Sequence, residues 1–417
     1  MKTIEERYQI AKEIYAKYGV DTDKAIERLK DIPLSIQCWQ GDDVQGFLNK
    51  EALGDGLQVT GNYPYKARTL KELQEDIQEV LDLLPGTFKL NLHSTYLDSD
   101  KPVSLDEVKP EHYKTWVDFA KKNHIGLDFN PTLFSSPMVK NGFTLSSNDE
   151  DVRSFWVRHC KACRKVGEYF GKELGIPCVT NIWIPDGYKD EPYERLAPRL
   201  RLKKSLDEIL EEKIDKKYNI DAVESKLFGI GLESYTTGNN EFYLAYAVKN
   251  NTALTLDAGH FHPTEYISDK ISSVLIFLDD LLLHVSRPVR WDSDHVVILD
   301  DELNRIAQTL VRSNLLGKTH IGLDYFDGSI NRIFAWVIGL RATQLALLKA
   351  LLEPAQEFKK LEDSYNFTER LYLGEEMKTL PFGIVYDYFC YKHGKKNGVE
   401  LEQQLKTYEN EVLRKRG

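Results

Sequence analysis

The chain has 417 residues, 42% of them hydrophobic, 29% charged and 11% aromatic, a globular composition that excludes a disordered or collagen-like polypeptide. Against 55 basic residues stand 65 acidic ones, net −10, a field that repels a phosphate backbone; the short basic runs at 201–204, 393–396 and the C-terminus lie beside Asp or Glu, so no nucleic-acid partner is expected. Five cysteines, an odd number in so long a chain, argue against a disulfide scaffold and for a cytoplasmic location.

The N-terminal stretch MKTIEERYQIAKEIY reads as an amphipathic helix, not a signal peptide, because no apolar run follows its lysine. No stretch approaches 18 uninterrupted apolar residues, so no membrane span is expected. Short β-rich apolar runs then follow at 34–40, 88–94, 125–131, 177–185, 221–229, 252–260, 280–288 and 319–326. Helical patterns separate them. TLKELQEDIQEVLDLL opens with Thr69 and Glu72 at capping-box spacing. NEFYLAYAVKNN, PTEYISDKISSVLIFL, DELNRIAQTLVRSNLL and NRIFAWVIGLRATQLALLKALL repeat an apolar face every three or four residues. Cys160 and Cys163 form a C-x-x-C within a helical stretch and lack a second pair, so neither zinc nor redox chemistry is read from them.

Alternating strands and helices imply parallel strands with right-handed crossovers. Eight such units predict an α/β fold, a single (β/α)8 TIM barrel over about 33–352, a span that accommodates the typical 250 residues with insertions. A helical N-terminal lead (1–32) precedes it. A helical C-terminal arm (353–417), aromatic and without an obvious core of its own, packs on the barrel or on a neighbouring subunit. A doubly wound sheet is the alternative, but no G-x-G-x-x-G opens a helix after any strand.

In such barrels chemistry sits at the C-terminal ends of the strands. The fifth run delivers Glu224 and Lys226 there, the sixth Asp257 and His260, the seventh His284, and the eighth Asp324; Asp292 and Asp294 follow in SRPVRWDSDH. Singly, each has a plain structural explanation: a core histidine, a surface ion pair, a helix cap. His262 competes with His260. Together, four separate strands deliver acids and imidazoles to one rim. Glu224, Asp257, Asp292, Asp294 and Asp324 give −5, Lys226 returns +1, and the remaining −4 is untenable in a packed site without counterions. Two divalent cations balance it. Asp292 and Asp294, two apart on an extended segment, point the same way and are expected to grip one of them. Glu224, Asp257, His284 and Asp324 would form a closed metal site; Asp257, His260, Asp292 and Asp294 an open one. Oxygen-rich ligands suit Mn²⁺ or Mg²⁺, while the histidines leave room for Zn²⁺ or Co²⁺.

The E-x-K of the fifth strand, the acid-x-x-His of the sixth, the D-x-D pair and the last Asp resemble the xylose isomerase-type aldose isomerases. CWQGDDVQGF, DAGHFHPTEYISDK and LLLHVSRPVRWDSDHVV bring the chain closer to the L-rhamnose isomerase branch over nearly its full length; His284, where the xylose enzymes place an acid, and the long terminal extensions fit that branch. The resemblance implies conversion of L-rhamnose to L-rhamnulose by a metal-assisted 1,2-hydride shift, with an enediol route as the rival. It implies a closed-site metal on sugar oxygens O2 and O4 and a catalytic open site at Asp292 and Asp294. Lys226, kept cationic by the surrounding acids, would donate to O1. His93, ending the second strand, would hold the ring-opening end of the sugar; Trp183, after the fourth, would pack on its apolar face; Phe129 and Phe134 are both candidates for the C6 methyl pocket. Mn²⁺ as cofactor, a small-molecule sugar as partner and a homotetramer complete the expectation. A different aldose isomerase or epimerase, a two-metal hydrolase on the same barrel, and a non-catalytic sugar-binding protein are the rival readings.

Overall fold

Short β-branched and leucine-rich segments bounded by helices close on themselves when each crossover is right-handed. In the structure, a computed structural model that describes residues 2–47, 61–227 and 233–416, eight such strands do so. They are β1 (Pro33–Gln37), β2 (Thr87–His93), β3 (Gly126–Asn130), β4 (Cys178–Ile182), β5 (Asn219–Glu224), β6 (Ala253–Asp257), β7 (Leu281–Val285) and β8 (Thr319–Leu323). All are parallel and neighbour one another in chain order, with β8 returning to β1 through Leu34 opposite Ile321. Every strand expected from sequence is present; all but β2 are shorter than the run read for them, because the run's C-terminal residues turn into the rim. Residues 228–229 of the fifth run lie outside the described residues.

Among the described residues ten α-helices form the lead and the outer ring: α1 (Ile4–Ala16), α2 (Thr22–Lys30), α3 (Leu70–Leu83), α4 (Lys114–Asn123), α5 (Glu150–Leu174), α6 (Leu196–Ile209), α7 (Asn240–Asn250), α8 (Ile267–Val274), α9 (Asp301–Arg312) and α10 (Arg332–Leu351). The capping box forms in full at α1, where Thr3 and Glu6 satisfy each other's backbone N–H. At α3 it is displaced. Thr69 accepts from the Glu72 N–H at 3.1 Å, but the Glu72 carboxylate takes the N–H of Arg68, one residue before the cap, at 2.8 Å. The helix read at 263–278 shrinks to α8, because Pro263 sits in a turn closed by the Glu265 N–H on the His262 carbonyl at 2.8 Å. Among the described residues α10 alone is long and apolar enough to cross a membrane, yet 78% of that stretch is buried, against α2, α3 and α9 among others.

Period-two alternation decides what enters the barrel. On β3, Asp128 points inward, where it accepts from Ser35 Oγ at 2.8 Å and pairs with buried Lys89; Phe129 points outward, edge-on to Tyr113 and Phe170 at 5.1 and 5.5 Å. The lower barrel is thus plugged by a paired buried charge, and the rim is left for chemistry.

The C-terminal arm comprises α11 (Ala355–Asp363), α12 (Phe367–Thr379), α13 (Phe382–Lys392) and α14 (Val399–Glu411). It folds back on its own chain, and apart from Leu361 its buried apolar residues join a core shared with the barrel. Tyr388 stacks on Tyr8 of α1 at 3.8 Å, and the Tyr386 hydroxyl donates to Gln344 of α10 at 2.8 Å. Arg416 grips Asp76 of α3 with two bonds of 2.6 and 2.7 Å. Not every aromatic finds cover: Tyr365, Phe367 and Tyr372 are 79%, 49% and 70% exposed, beside Leu371 at 67%. All five cysteines are free and buried, Cys160 and Cys163 on α5, and burial pushes both thiols far above their ordinary range.

Candidate active site

The strand ends converge as expected. Glu224 closes β5, Asp257 closes β6, His284 is the fourth residue of β7 and pairs in register with Asp257, and Asp324 follows β8. One ligand atom from each lies within 4.8 Å of the others, and all four residues are buried. His284 Nδ1 is the hub, 3.0 Å from Glu224, 2.9 Å from Asp324 and 3.6 Å from Asp257. Asp257 is shared with a second group, in which it meets His260 and Asp292 within the same distance. His260 Nε2 lies 3.1 Å from the Asp292 carboxylate. His262, the competing ligand, is exposed and bonds Thr264 at 2.8 Å, so His260 alone enters the site.

Such crowding reshapes every proton affinity. Burial alone would depress both histidines, but Glu224 and Asp324 hold His284, and Asp257 and Asp292 hold His260, well above the ordinary imidazole range. Burial pushes Asp257 up to about 6. His284 Nε2, Asp292 Oδ1 and Asp324 Oδ1 are buried without any hydrogen-bond partner. Carboxylates gathered on imidazole nitrogens, with orphaned ligand atoms among them, fit divalent cations; positive charge is what the site lacks.

Asp294 stands apart in one respect. Residues 291–295 form a hairpin strand with Arg287–Val289, in which Asp294 takes φ +41° and its carboxyl stays against that of Asp292. It is absent from both ligand groups and lies beside them, its acid raised by burial and by Asp292 and Asp257. Lys226 also differs. It is 2% exposed, donates to the Pro185 carbonyl, and lies 5.8 Å from the Trp183 ring. Glu233, Asp186 and Asp292 favour its charge, yet burial outweighs them and draws the ammonium down to about 8. At neutral pH it is still largely cationic, though closer to titration than a free lysine.

Over this floor stands an aromatic wall. Phe326 meets Trp39 edge-on at 5.8 Å, and Trp39 stacks on His93 at 4.3 Å. Phe134 stands edge-on to both His93 (6.3 Å) and Trp183 (5.8 Å), and Trp183 lies 6.4 Å from His260. His93 and Trp183 both stand in this wall, with Phe134 between them; Phe129 packs in the core against Tyr113 and Phe170. Burial brings the His93 imidazole down to about 3.

Sequence reading passed over several participants. Trp39 and Phe326 complete the wall, and Trp39 lies in the short 3-10 turn, Cys38–Gly41, that follows β1. Asn181 on β4 donates to Glu224 and accepts from the Thr255 hydroxyl at 2.7 Å, fixing the carboxylate from behind. A polar Asn inside the apolar run CVTNI was the available signal.

The chain matches the L-rhamnose isomerase (RhaA) family over residues 2–416. It is 56% identical over 415 residues to an L-rhamnose isomerase of Escherichia coli O1:K1 / APEC, covering 99% of both chains. It is 56% identical over 414 residues to the L-rhamnose isomerase of Salmonella gallinarum, again covering 99% of each. Among solved structures, an L-ribulose 3-epimerase superposes with a TM-score of 0.49 at 11% identity over 79% of this chain and 97% of that one. The chain belongs to the L-rhamnose isomerase family.

Proposed function

We propose that the chain interconverts L-rhamnose and L-rhamnulose on a pair of divalent cations, most naturally Mn²⁺ given the oxygen-rich ligands. The observation that carries this reading is the pair of buried ligand groups sharing Asp257 beneath an aromatic wall, in a chain of this family. Glu224, Asp257, His284 and Asp324 would hold one cation, and Asp257, His260 and Asp292 the other, with Asp294 beside it. Bound there, such cations supply Lewis acidity to sugar oxygens.

The chain's own residues do the rest. Lys226 donates a hydrogen bond toward the O1 end, where charge grows as the carbonyl forms. Trp39, Phe134 and Trp183 exclude water, and Phe134 faces the C6 methyl. In that dry enclosure hydrogen passes directly between C2 and C1, and the hydroxyl proton shifts from O2 to O1 within the same polar floor, aided by Asp292 and Asp294. L-Rhamnose deuterated at C2 tests this: the label is expected at C1 of the ketose, and its loss to solvent would favour the enediol route.

Three further parts belong to the same reading. The exposed apolar face of α12 supports a homotetramer, which light scattering reads directly. Residues 33–352 act as the catalytic barrel, flanked by the lead (1–32) and the arm (353–417). The enzyme works in the cytoplasm, where five buried thiols stay reduced.

A further inference from the structure

His93 is 1% exposed, and its two ring nitrogens have unequal surroundings. Nδ1 lies 3.0 Å from the Thr132 hydroxyl, whereas Nε2 is buried with no partner. Which nitrogen carries the proton follows from counting protons at Thr132 Oγ1. That oxygen has three polar neighbours: the Ser94 N–H at 3.2 Å, the Asn130 carbonyl at 3.1 Å, and His93 Nδ1. The N–H can only donate and the carbonyl can only accept. The single hydroxyl proton therefore goes to Asn130, and the imidazole must donate from Nδ1. Were the hydroxyl to donate to Nδ1 instead, its oxygen lone pairs would face the Asn130 carbonyl oxygen at 3.1 Å.

The chain holds Thr132 in this place at a cost. Its φ is +62°, a left-handed conformation that a β-branched residue rarely adopts. The preceding Pro131 carbonyl is pinned by the Ser94 hydroxyl at 2.5 Å and lies 2.5 Å from His159 Nε2 on α5. Stacked on Trp39 and edged by Phe134, the ring cannot swing. No carboxylate bonds it, and burial keeps it neutral with a single proton.

We propose that Thr132 is a positioning residue for the isomerisation: its hydroxyl locks His93 as the Nδ1–H tautomer, so that the bare Nε2 accepts a hydrogen bond from a sugar hydroxyl. In that form His93 cannot donate a proton to the ring oxygen of the closed sugar. The sugar's part in this rests on the isomerase reading; the tautomer does not.

Neutron diffraction from crystals of the Mg²⁺-loaded protein exchanged into D₂O tests it. A deuteron is expected on Nδ1 and none on Nε2, and with L-rhamnose bound, a sugar deuteroxyl aimed at Nε2. A deuteron on Nε2 overturns the proposal. In solution, Thr132→Val is expected to lower kcat/KM roughly tenfold, the worth of one misplaced hydrogen bond, while Thr132→Ser, which keeps the hydroxyl, restores most of it. Equal kcat/KM for the two variants contradicts the positioning role. If Thr132→Val does not fold, the neutron map alone decides. If the wild-type protein forms no L-rhamnulose, the isomerase reading falls while the map still reads the tautomer.

Discussion

Asp257 is the one residue common to both ligand groups, so Asp257→Asn is expected to remove both cations, while Asp324→Asn removes only the first and Asp292→Asn only the second. The magnitude follows from mass action. A ligand held at a hundred times its Kd stabilises the native state by about 2.7 kcal/mol. Two independent sites give roughly twice that, on the order of 5 kcal/mol at saturating Mn²⁺. The two single-site variants should keep about half of the gain, and Asp257→Asn almost none. Asn also removes a carboxylate that burial makes costly to ionise, so the metal-free variant should be at least as stable as the metal-free parent near neutral pH. The assay is the denaturant midpoint with and without Mn²⁺, alongside elemental analysis of ions per chain. Two ions retained by Asp257→Asn, or both lost from each of the other variants, would refute the shared-ligand geometry.

Phe134→Ala is expected to narrow the preference for L-rhamnose over L-mannose by an amount within the 10–200-fold range, about 1–3 kcal/mol, that a buried methyl contact is worth. Phe129→Ala should instead cost about 3–5 kcal/mol of stability with the preference intact; a reversed pattern would exchange their roles. Arg416→Met strands the Asp76 carboxylate, which is 1% exposed, and should destabilise the fold by about 3–5 kcal/mol, with Asp76→Asn in the same chain recovering part of the loss. Unchanged unfolding would show that the C-terminal anchor carries no weight. Asp42 is raised by burial from 3.8 to about 7, so it contributes stability that is present below pH 4 and lost as pH rises toward 7. Asp42→Asn should flatten the pH–stability profile across that window, and an unaltered slope would count against the shift.

What the sequence makes legible is whatever has a period or sits at a strand end. Strand–helix alternation locates all eight strands, and acids or imidazoles at their C-terminal ends mark Glu224, Asp257, His260, His284 and Asp324 before any coordinates. Two kinds of feature escape it. One is local backbone: nothing in the i, i+2 spacing says that Asp294, at φ +41°, falls outside the ligand group that holds Asp292. The other is reach across the barrel. Trp39, His93, Phe134 and Trp183 come from four different strand ends, and no spacing in the chain says that they touch. Phe129 and Phe134 look alike in sequence; only the inward placement of Asp128, fixed by Lys89 and Ser35, sends Phe129 to the outer face. The lowered proton affinity of Lys226 escapes for a related reason. Counting acids captures attraction but not the loss of water around a group 2% exposed.

The central claim is metal-dependent ketose formation from L-rhamnose. Its most direct test is the rate of L-rhamnulose formation by the full chain after exhaustive EDTA dialysis, before and after Mn²⁺ is restored. Negligible product from the stripped protein and recovery on adding Mn²⁺ is the expected result. Undiminished formation after complete chelation, or no product with Mn²⁺ present, would contradict it.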